Sequence, residues 1–313
     1  MSARKLVLAV DLGGTKIASA LVSDDPKLLD GSRFRVPTGH DISRADLEAA
    51  IRSVVSSALA AVPAGDEVIG VGIGSAGPVA VAAGEISPLN MPNCWDFPIA
   101  RIVSDVVPRV PVSLQLDGHC IALAEHWVGA LRGYRNAVGM VVSTGVGGGF
   151  IIDGRLLEGR TGNAGHIGQV RVTSPAAAGP DLDSTLEGVA SGTGTVRWAK
   201  EQGWKGETGE DLGASYAAGD AIAIAAVRRC GEALGYALST VGALLDVEAV
   251  AIGGGFSHVT PDLFDIVRAS LKERAPLRTM AGIEVLPSGL SDEGPLIGAA
   301  ALIYRSHLLP SHD

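Results

Sequence analysis

The sequence is poor in aromatic residues, in cysteine and in basic charge, and each shortage excludes a class of protein. Only 4% of its 313 residues are aromatic, and 34 acidic residues against 25 lysines and arginines give a net charge of −9. A stacking surface or a basic face for nucleic acid is therefore not expected. The three cysteines, Cys94, Cys120 and Cys230, show no Cys-x-x-Cys spacing, which argues against a disulfide framework or a zinc knuckle.

The sequence also lacks an uninterrupted apolar run long enough to cross a membrane. The nearest approach is 221–245, which Arg228, Arg229 and Glu232 interrupt. The first residues lead directly into a strand pattern and carry no signal-peptide signature. Together with the isolated cysteines, these features predict a cytoplasmic protein with no membrane partner.

Glycine and aliphatic residues are abundant. The chain has 42 glycines and is 47% hydrophobic, enough apolar surface for sizeable cores. This length suits two domains better than one, and the many glycines favour an α/β protein with tight turns between strands and helices.

Two glycine-rich turns, 132 residues apart, follow apolar strands. The first is Asp11-Leu12-Gly13-Gly14-Thr15-Lys16 and the second runs from Ser143 to Gly149. Such turns let backbone N–H groups surround phosphate oxygens. Their repetition predicts two similar half-molecules that bind one nucleotide, and hence phosphoryl transfer. Taken alone, each turn could also be an ordinary hairpin.

Two aspartates follow apolar strands. Asp11 could hold Mg²⁺ through water beside the phosphates, with Thr15 and Lys16 adding a hydroxyl and a cation. Asp117 could orient an alcohol and accept its proton; its alternative role is to cap the next helix. We place the domain boundary here, with an α/β lobe over 1–117, a second over 118–293, and a terminal helix, about 294–313, that packs back on the first.

The segment from Gly72 to Gly77 matches the spacing of a dinucleotide-binding fingerprint, which would indicate an oxidoreductase. A true fingerprint opens a helix, whereas Pro78 and an apolar stretch follow here. We therefore interpret the segment as a tight turn near the substrate.

Several motifs together resemble the ROK family of sugar kinases across essentially the whole chain. They are the two glycine turns, Ala164-Gly165-His166-Ile167-Gly168, Gly74-Ser75-Ala76-Gly77-Pro78, Asn90 with Trp95, Gly253-Gly254-Gly255 and the closing 294–300. The resemblance implies an actin-like ATPase fold, in which two ribonuclease-H-like α/β lobes enclose a cleft. It also implies an ATP- and Mg²⁺-dependent kinase that acts on a hexose or hexose-like acceptor, and a homodimer.

The resemblance assigns roles residue by residue. The first phosphate motif would comprise Asp11, Gly13, Gly14, Thr15 and Lys16; the second Thr144, Gly145 and Gly147; and the adenosine motif Gly254 and Gly255. Asp117 would be the catalytic base, and Gly77, Asn93, His166 and Glu187 would contact the acceptor together with Asp117.

The departures from the family pattern fall in the acceptor pocket and at a zinc site. Leu116 stands where the family has Asn, and His166 where most members have Glu, although N-acetylmannosamine kinases share Ala-Gly-His-Ile-Gly. Gln169 replaces the zinc-binding His and the loop Thr173–Thr185 has no Cys, so we predict no zinc. The acceptor is expected to differ from plain glucose; an acylated amino sugar or a C7 cyclitol would fit.

Two other functions remain as alternatives. A ROK-type repressor would need a helix-turn-helix domain before the first phosphate motif, and only ten residues precede Asp11 here. A sugar sensor without catalysis is compatible with Leu116 and Gln169, but the retained Asp117 favours an enzyme. Binding of nicotinamide without ATP would support the oxidoreductase.

Overall fold

The computed structural model describes residues 3–172 and 184–310, in which strands and helices alternate. The strands are β1 (Lys5–Leu12), β2 (Lys16–Val22), β3 (Phe34–Pro37), β4 (Glu67–Ser75), β5 (Val79–Ala80), β6 (Glu85–Ile86), β7 (Val112–Leu116), β8 (Ala137–Val142), β9 (Val146–Ile152), β10 (Arg155–Leu156), β11 (Ala249–Gly253) and β12 (Glu284–Pro287). The helices are α1 (Arg44–Ala60), α2 (Ile99–Val106), α3 (Asp117–Trp127), α4 (Leu186–Ala190), α5 (Gly192–Glu201), α6 (Gly209–Ala217), α7 (Ala221–Leu245), α8 (Leu263–Glu273) and α9 (Gly294–Tyr304).

The chain divides into two compact units. The first comprises Met1–Val128, Arg155–Ala164 and Leu290–Asp313, and the second Gly129–Gly154 and Gly165–Gly289. The first unit is thus assembled from three separate stretches of sequence. Its last stretch carries α9, which packs on α3, β1 and β4.

The first unit is built on a five-stranded sheet in the order β3-β2-β1-β4-β7. β1 pairs antiparallel with β2 and parallel with β4, which pairs parallel with β7. Residues 6–10 of β1 are all 0% exposed, because α9 covers one stretch of the sheet and α1 packs on its β2 side. A strand buried on both faces needs a continuous apolar run, which explains the sequence Leu-Val-Leu-Ala-Val.

Glycines at alternate positions of β4 allow the helices that cover this strand to pack close to its backbone. A Cβ atom at Gly72 would lie 1.8 Å from the carbonyl oxygen of Ala299 in α9, and one at Gly70 would meet the side chain of Ile303 at 2.9 Å. The interpretation of Gly72–Gly77 as a tight turn is therefore wrong for its first half, which is strand as far as Ser75. These glycines serve helix packing and do not open a nucleotide-binding helix.

The second unit repeats the pattern of the first. Its sheet contains the order β9-β8-β11-β12, with β8 antiparallel to β9 and parallel to β11, which is parallel to β12. In both units a hairpin with a glycine turn is followed by two parallel strands. The long helix α7 packs against α4, α5 and α8 in this unit.

Short polar side chains begin several helices. Ser43 and Asp220 cap α1 and α7 as their positions before apolar periodicity predict, with Asp220 accepting hydrogen bonds from two backbone N–H groups at 2.8 and 2.9 Å. Thr185 and Ser191 likewise cap α4 and α5. The composition of 159–195, rich in Gly, Ser, Thr and Ala, predicts a long loop. This prediction is wrong where α4 and α5 lie, because Thr185 and Ser191 serve there as N-caps.

Within the described parts of the chain, no helix combines the length and the apolar character needed to span a membrane.

Candidate active site

Two carboxylates meet at one edge of the first unit's sheet. Asp11 near the end of β1 lies opposite Gly74 of β4, and Gly74 lies opposite Gln115 of β7. Asp117 follows Gln115 by two residues and is the first residue of α3. Because β1, β4 and β7 run parallel, their carboxyl ends share this edge, as the sequence predicted for Asp11 and Asp117 separately.

The charge of Asp117 perturbs Asp11. The pKa of Asp11 is raised from 3.8 to about 7, mainly by burial and also by the charge of Asp117, while Lys16 and Arg33 oppose the change. The buried thiol of Cys120 has a pKa raised by burial and by the same two carboxylates. These groups therefore share one partly desolvated, negatively charged pocket, as active sites often do.

Asp117 is held at the start of α3. Its Oδ1 atom accepts a hydrogen bond from the Gly118 N–H at 2.7 Å. The helix itself is set close to the sheet, since a Cβ atom at Gly74 would lie 2.9 Å from the Cys120 sulfur. This position at a helix N-terminus favours the ionised form of the carboxylate.

The first glycine turn joins β1 to β2. The Gly13 N–H donates to the Lys16 carbonyl at 3.0 Å. Thr38, which follows β3, holds the turn by two hydrogen bonds: its N–H donates to the Thr15 carbonyl at 2.9 Å and its hydroxyl to the Gly13 carbonyl at 3.2 Å. Thr15 and Lys16 are exposed. The turn is thereby fixed while a hydroxyl and an ammonium group stay accessible to a ligand.

Asn90 is a candidate to which sequence reasoning gave no role in the site. A Cβ atom at Gly14 would lie 2.0 Å from Asn90 Nδ2, so the side-chain amide occupies the space that Gly14 leaves open. Gly77 lies beside this segment, because its carbonyl accepts from the Leu89 N–H at 3.2 Å. Asn93 instead donates to the Asp41 carbonyl at 3.3 Å. The pairing of Asn90 with Trp95 in the family motif was the signal available for it.

The second glycine turn joins β8 to β9 and is fixed by Glu187. The Val146 N–H donates to Glu187 Oε2 at 2.9 Å, and a Cβ atom at Gly145 would lie 2.6 Å from the same oxygen. A Cβ atom at Gly147 would meet nothing within 4 Å. Gly145 is thus required by its neighbour Glu187, whereas the space at Gly147 leaves its backbone approachable by a ligand.

Gly254 lies against the same turn of the second unit. It has φ of 94°, and a Cβ atom there would be 2.5 Å from the Val142 carbonyl oxygen at the end of β8. Gly255 follows and begins a short 3-10 helix, Gly255–His258, with open space around it. The predicted second phosphate motif and adenosine motif are therefore neighbours in the fold.

A cleft of about 1370 Å³ opens beside these motifs within the second unit. Ser143, Thr144 and Gly255 line one part of it, and the first turns of α5 and α6 line another. Its other lining residues include Thr193, Val196, Arg197, Lys200, Thr208, Phe256 and His258. Glu201, Glu207 and Glu210 also line it, so the charges of Arg197 and Lys200 are balanced there, and the two helix N-termini are the feature that suits an anion. The capping box of Thr208 and Asp211 begins α6 and is a signal that the sequence carries for this helix.

His166 and Glu187 belong to one compact group in the second unit. A Cβ atom at Gly165 would lie 2.6 Å from the Gly148 carbonyl, and one at Gly168 would meet the Val146 carbonyl at 2.2 Å and Glu187 Cβ at 3.3 Å. The segment with His166 is therefore pressed against β9 and against Glu187. The fold brings these two predicted acceptor contacts together with the second phosphate turn.

The three cysteines are buried and free. Burial raises the pKa of Cys230 to about 12, so its thiol stays protonated. Residues 173–183 of the loop Thr173–Thr185 lie outside the described residues, and among those described no group of three His, Cys, Asp or Glu side chains could hold a metal. The absence of zinc remains a prediction.

Known proteins similar to this chain include sugar kinases. A glucokinase from Halalkalibacterium halodurans is 28% identical over 319 residues, which cover 95% of this chain and 94% of that protein. An N-acetylmannosamine kinase from Yersinia pseudotuberculosis is 31% identical over 94% of this chain and 96% of its own length. The crystal structure of a ROK family glucokinase from Streptomyces griseus, in complex with glucose and AMPPNP, superposes with a TM-score of 0.78 and 28% identity over 95% and 98% of the two chains.

The predicted family and fold are both confirmed. Residues 7–306 match the ROK family, nearly the whole chain. The sheets of the two units, with their repeated hairpins and parallel strands, are those of the actin-like ATPase fold that the structural neighbours share. This chain belongs to the ROK family.

Proposed function

We propose that this protein transfers the γ-phosphoryl group of ATP to a hydroxyl, a primary one, of a hexose or hexose-like acceptor such as glucose or N-acetylmannosamine. It is an ATP-dependent carbohydrate kinase of the ROK family. The observation that carries the proposal is the pair of carboxylates, Asp11 and Asp117, which share one negatively charged pocket.

Asp117 is the proposed catalytic base. Phosphoryl transfer to an alcohol needs a group that orients the hydroxyl and accepts its proton as the new bond to phosphorus forms. The hydrogen bond from the Gly118 N–H fixes one carboxylate oxygen and thus the plane of the group. A carboxylate oriented in this way can direct one acceptor hydroxyl toward the phosphorus atom.

Asp11 is suited to Mg²⁺. It offers oxygen, the ligand atom that Mg²⁺ prefers, and Asp117 adds negative charge that a cation would relieve. Mg²⁺ is commonly held by one or two carboxylates together with substrate phosphates, a role that Asp11 would fill. When bound, Mg²⁺ would neutralise charge on the phosphate oxygens.

ATP would use the glycine motifs of both units. Gly13, Gly14 and the side chains of Thr15 and Lys16 would contact phosphate in the first unit. In the second unit Thr144, Gly145 and Gly147 would contact phosphate, while Gly254 and Gly255 would lie along the adenosine. The cleft beside Gly255, with its two helix N-termini, supports this placement.

The acceptor would be bound by Gly77, Asn93, Asp117, His166 and Glu187. His166 stands where most of the family has Glu, and its imidazole N–H can donate a hydrogen bond to the sugar, which a carboxylate cannot. Glu187 already accepts from the Val146 N–H, which orients it. These two positions support an acceptor other than plain glucose.

The test is ADP release with ATP and Mg²⁺ across glucose, mannose, N-acetylmannosamine, N-acetylglucosamine, allose, fructose and C7 cyclitols. We expect turnover on one acceptor class and a loss of at least about a thousandfold in Asp117→Asn. Asp105→Asn on the surface of α2 is the matched control and should keep full activity. Phosphorus NMR of the product then identifies the phosphorylated hydroxyl.

Substitution at His166 tests the acceptor site separately. His166→Glu is expected to improve kcat/KM for glucose relative to N-acetylmannosamine by about tenfold, as one polar contact is exchanged. An unchanged ratio would mean that His166 does not select the acceptor. ATP binding without turnover on any acceptor would instead support a sugar sensor.

The homodimer and the cytoplasmic location remain predictions. Light scattering coupled to size-exclusion chromatography would measure the first, with about 64 kDa expected for two chains of 31.8 kDa.

A further inference from the structure

A group of buried polar side chains in the first unit lies next to the catalytic carboxylates but outside the residues assigned so far. Gln115 of β7, His119 of α3 and Glu158 are 1%, 0% and 2% exposed. Buried polar groups are costly unless they are hydrogen-bonded, so their partners determine their state.

The hydrogen bonds form a chain from Glu158 to Ala164. Gln115 Nε2 lies 2.5 Å from Glu158 Oε1, Gln115 Oε1 lies 2.8 Å from His119 Nδ1, and His119 Nε2 lies 2.5 Å from the Ala164 carbonyl oxygen. An ionised Glu158 only accepts, and with this charge state Gln115 turns its amide nitrogen to Glu158 and its oxygen to His119, which is the orientation in the structure. A backbone carbonyl also only accepts.

Both ring nitrogens of His119 therefore face acceptors, and each must carry a proton. A histidine with two N–H groups is an imidazolium cation. The carboxylate of Glu158, connected through Gln115, supplies a compensating negative charge in the same buried group.

The atoms held by this group are the two ends of one loop. The Ala164 N–H donates to the Glu158 carbonyl at 3.0 Å, which closes residues 158–164 into a compact loop. Near its end, Asn163 pairs with both backbone groups of Val79, at 2.8 and 2.7 Å. The 158–164 loop is thus fixed to β7, α3 and β5, and the sequence reaches His166 two residues after Ala164.

We infer that His119 is a positively charged positioning residue, which fixes the 158–164 loop through Ala164 while Glu158 balances its charge through Gln115. Its role in the reaction is to fix the backbone that leads into the acceptor-binding segment. The kinetic part of this inference rests on the proposed kinase function, whereas the charge of His119 does not.

Other ionisable groups surround α3, which packs on α9, β4, β7 and β10. They are Asp117, Cys120, Glu125 and His126 on α3 itself, Tyr304 on α9, Glu67 on β4 and Arg155 on β10. Glu158 is the carboxylate that Gln115 joins to His119 by hydrogen bonds. Removing its charge alone is therefore the specific perturbation of the imidazolium.

The first measurement is the protonation state of His119 in the whole protein labelled with [15N]histidine. At pH 7.5 an ordinary histidine is about nine-tenths neutral. We expect one of the seven histidines to show two protonated ring nitrogens in a long-range proton–nitrogen correlation spectrum. That signal should be absent from the spectrum of His119→Asn. In Glu158→Gln it should be replaced by the signal of a neutral ring with one protonated nitrogen. Seven neutral histidines, or a charged signal that persists in His119→Asn, would overturn the inference.

The second measurement is kinetic. His119→Asn should raise the KM for the acceptor by about tenfold, the usual effect of a lost charged hydrogen bond, with kcat changed less than about threefold and the KM for ATP unchanged. Glu158→Gln, which keeps the shape of the side chain, should act in the same direction and serves if His119→Asn does not fold. His307→Asn, an exposed histidine of the same unit, is the control. A fall in kcat at constant acceptor KM would refute the positioning role, while a protein inactive on every acceptor would refute the proposed function and leave the NMR result standing.

Discussion

Removing the charge of Asp11 should stabilise the protein while it abolishes catalysis. The pKa of this carboxyl is raised from 3.8 to about 7 by burial and by Asp117. Well below pH 3.8 the carboxyl is protonated in both the folded and the unfolded protein, so its raised pKa does not lower the free energy of unfolding. Above pH 7 it is ionised in both, and the free energy of unfolding is lowered by the full amount. Since one unit of pKa shift corresponds to about 1.4 kcal/mol, the full loss of unfolding free energy is about 4 kcal/mol.

The assay is urea denaturation of Asp11→Asn and the unsubstituted protein, without Mg²⁺ or ATP. At pH 8 we expect the free energy of unfolding to rise by up to about 4 kcal/mol, and at pH 4.5 by about 1 kcal/mol. Asp30→Asn, at an exposed position, should change neither value. A gain that is equal at the two pH values would show that the charge is not the cause, and a loss of stability at pH 8 would refute the reasoning.

Two pairs of adjacent glycines give further predictions, because one member of each pair is crowded and the other is not. Gly14→Ala places a Cβ atom 2.0 Å from Asn90 Nδ2 and should lower kcat/KM in the ADP-release assay by about tenfold or more. In Gly13→Ala the Cβ atom lies 3.6 Å from its nearest neighbour, so kcat/KM should change by less than about threefold. Gly254→Ala combines φ of 94° with a contact of 2.5 Å and should cost about 2 kcal/mol or more of unfolding free energy and weaken ATP binding, whereas Gly255→Ala, with 3.9 Å of space, should cost less than about 1 kcal/mol. ADP release measures the first pair, and calorimetry of unfolding and of ATP binding measures the second. Equal effects of the two substitutions within a pair would show that crowding of the added Cβ atom is not the cause.

The sequence was sufficient where a pattern is local. An apolar strand followed by glycines predicted both hairpin turns, and Ser43 and Asp220 predicted the first residues of two helices. Family resemblance added the proposed roles of His166 and Glu187, which no spacing rule would have selected, and it agreed with the role that position suggested for Asp117. The parallel pairing of β1, β4 and β7, which puts Asp11 and Asp117 at one edge, required the tertiary fold.

The errors have a common physical cause, which is that one residue type serves several purposes. Gly72 and Gly74 let helices pack closely on β4, although the segment Gly72–Gly77 was interpreted as a tight turn. Thr185 and Ser191 cap helices, although their composition indicated a loop. Asn90 could not be preferred to Asn93 without the contact between Asn90 and Gly14. In each case a neighbour distant in sequence decides the role, and single-sequence patterns do not contain that neighbour.

The repeated hairpin is used differently in the two units, and this difference separates chemistry from binding. The β1–β2 hairpin carries Asp11 and Lys16, whose charges can act on phosphate and metal. The β8–β9 turn has no ionisable residue of its own and instead takes a carboxylate, Glu187, from a neighbouring helix to fix its backbone. A neutral turn offers N–H groups without competing charge, whereas a charged turn carries a cost in stability that only a function would retain. We therefore expect Asp11→Asn to raise the free energy of unfolding, whereas uncharged substitutions at Thr144 should not raise it.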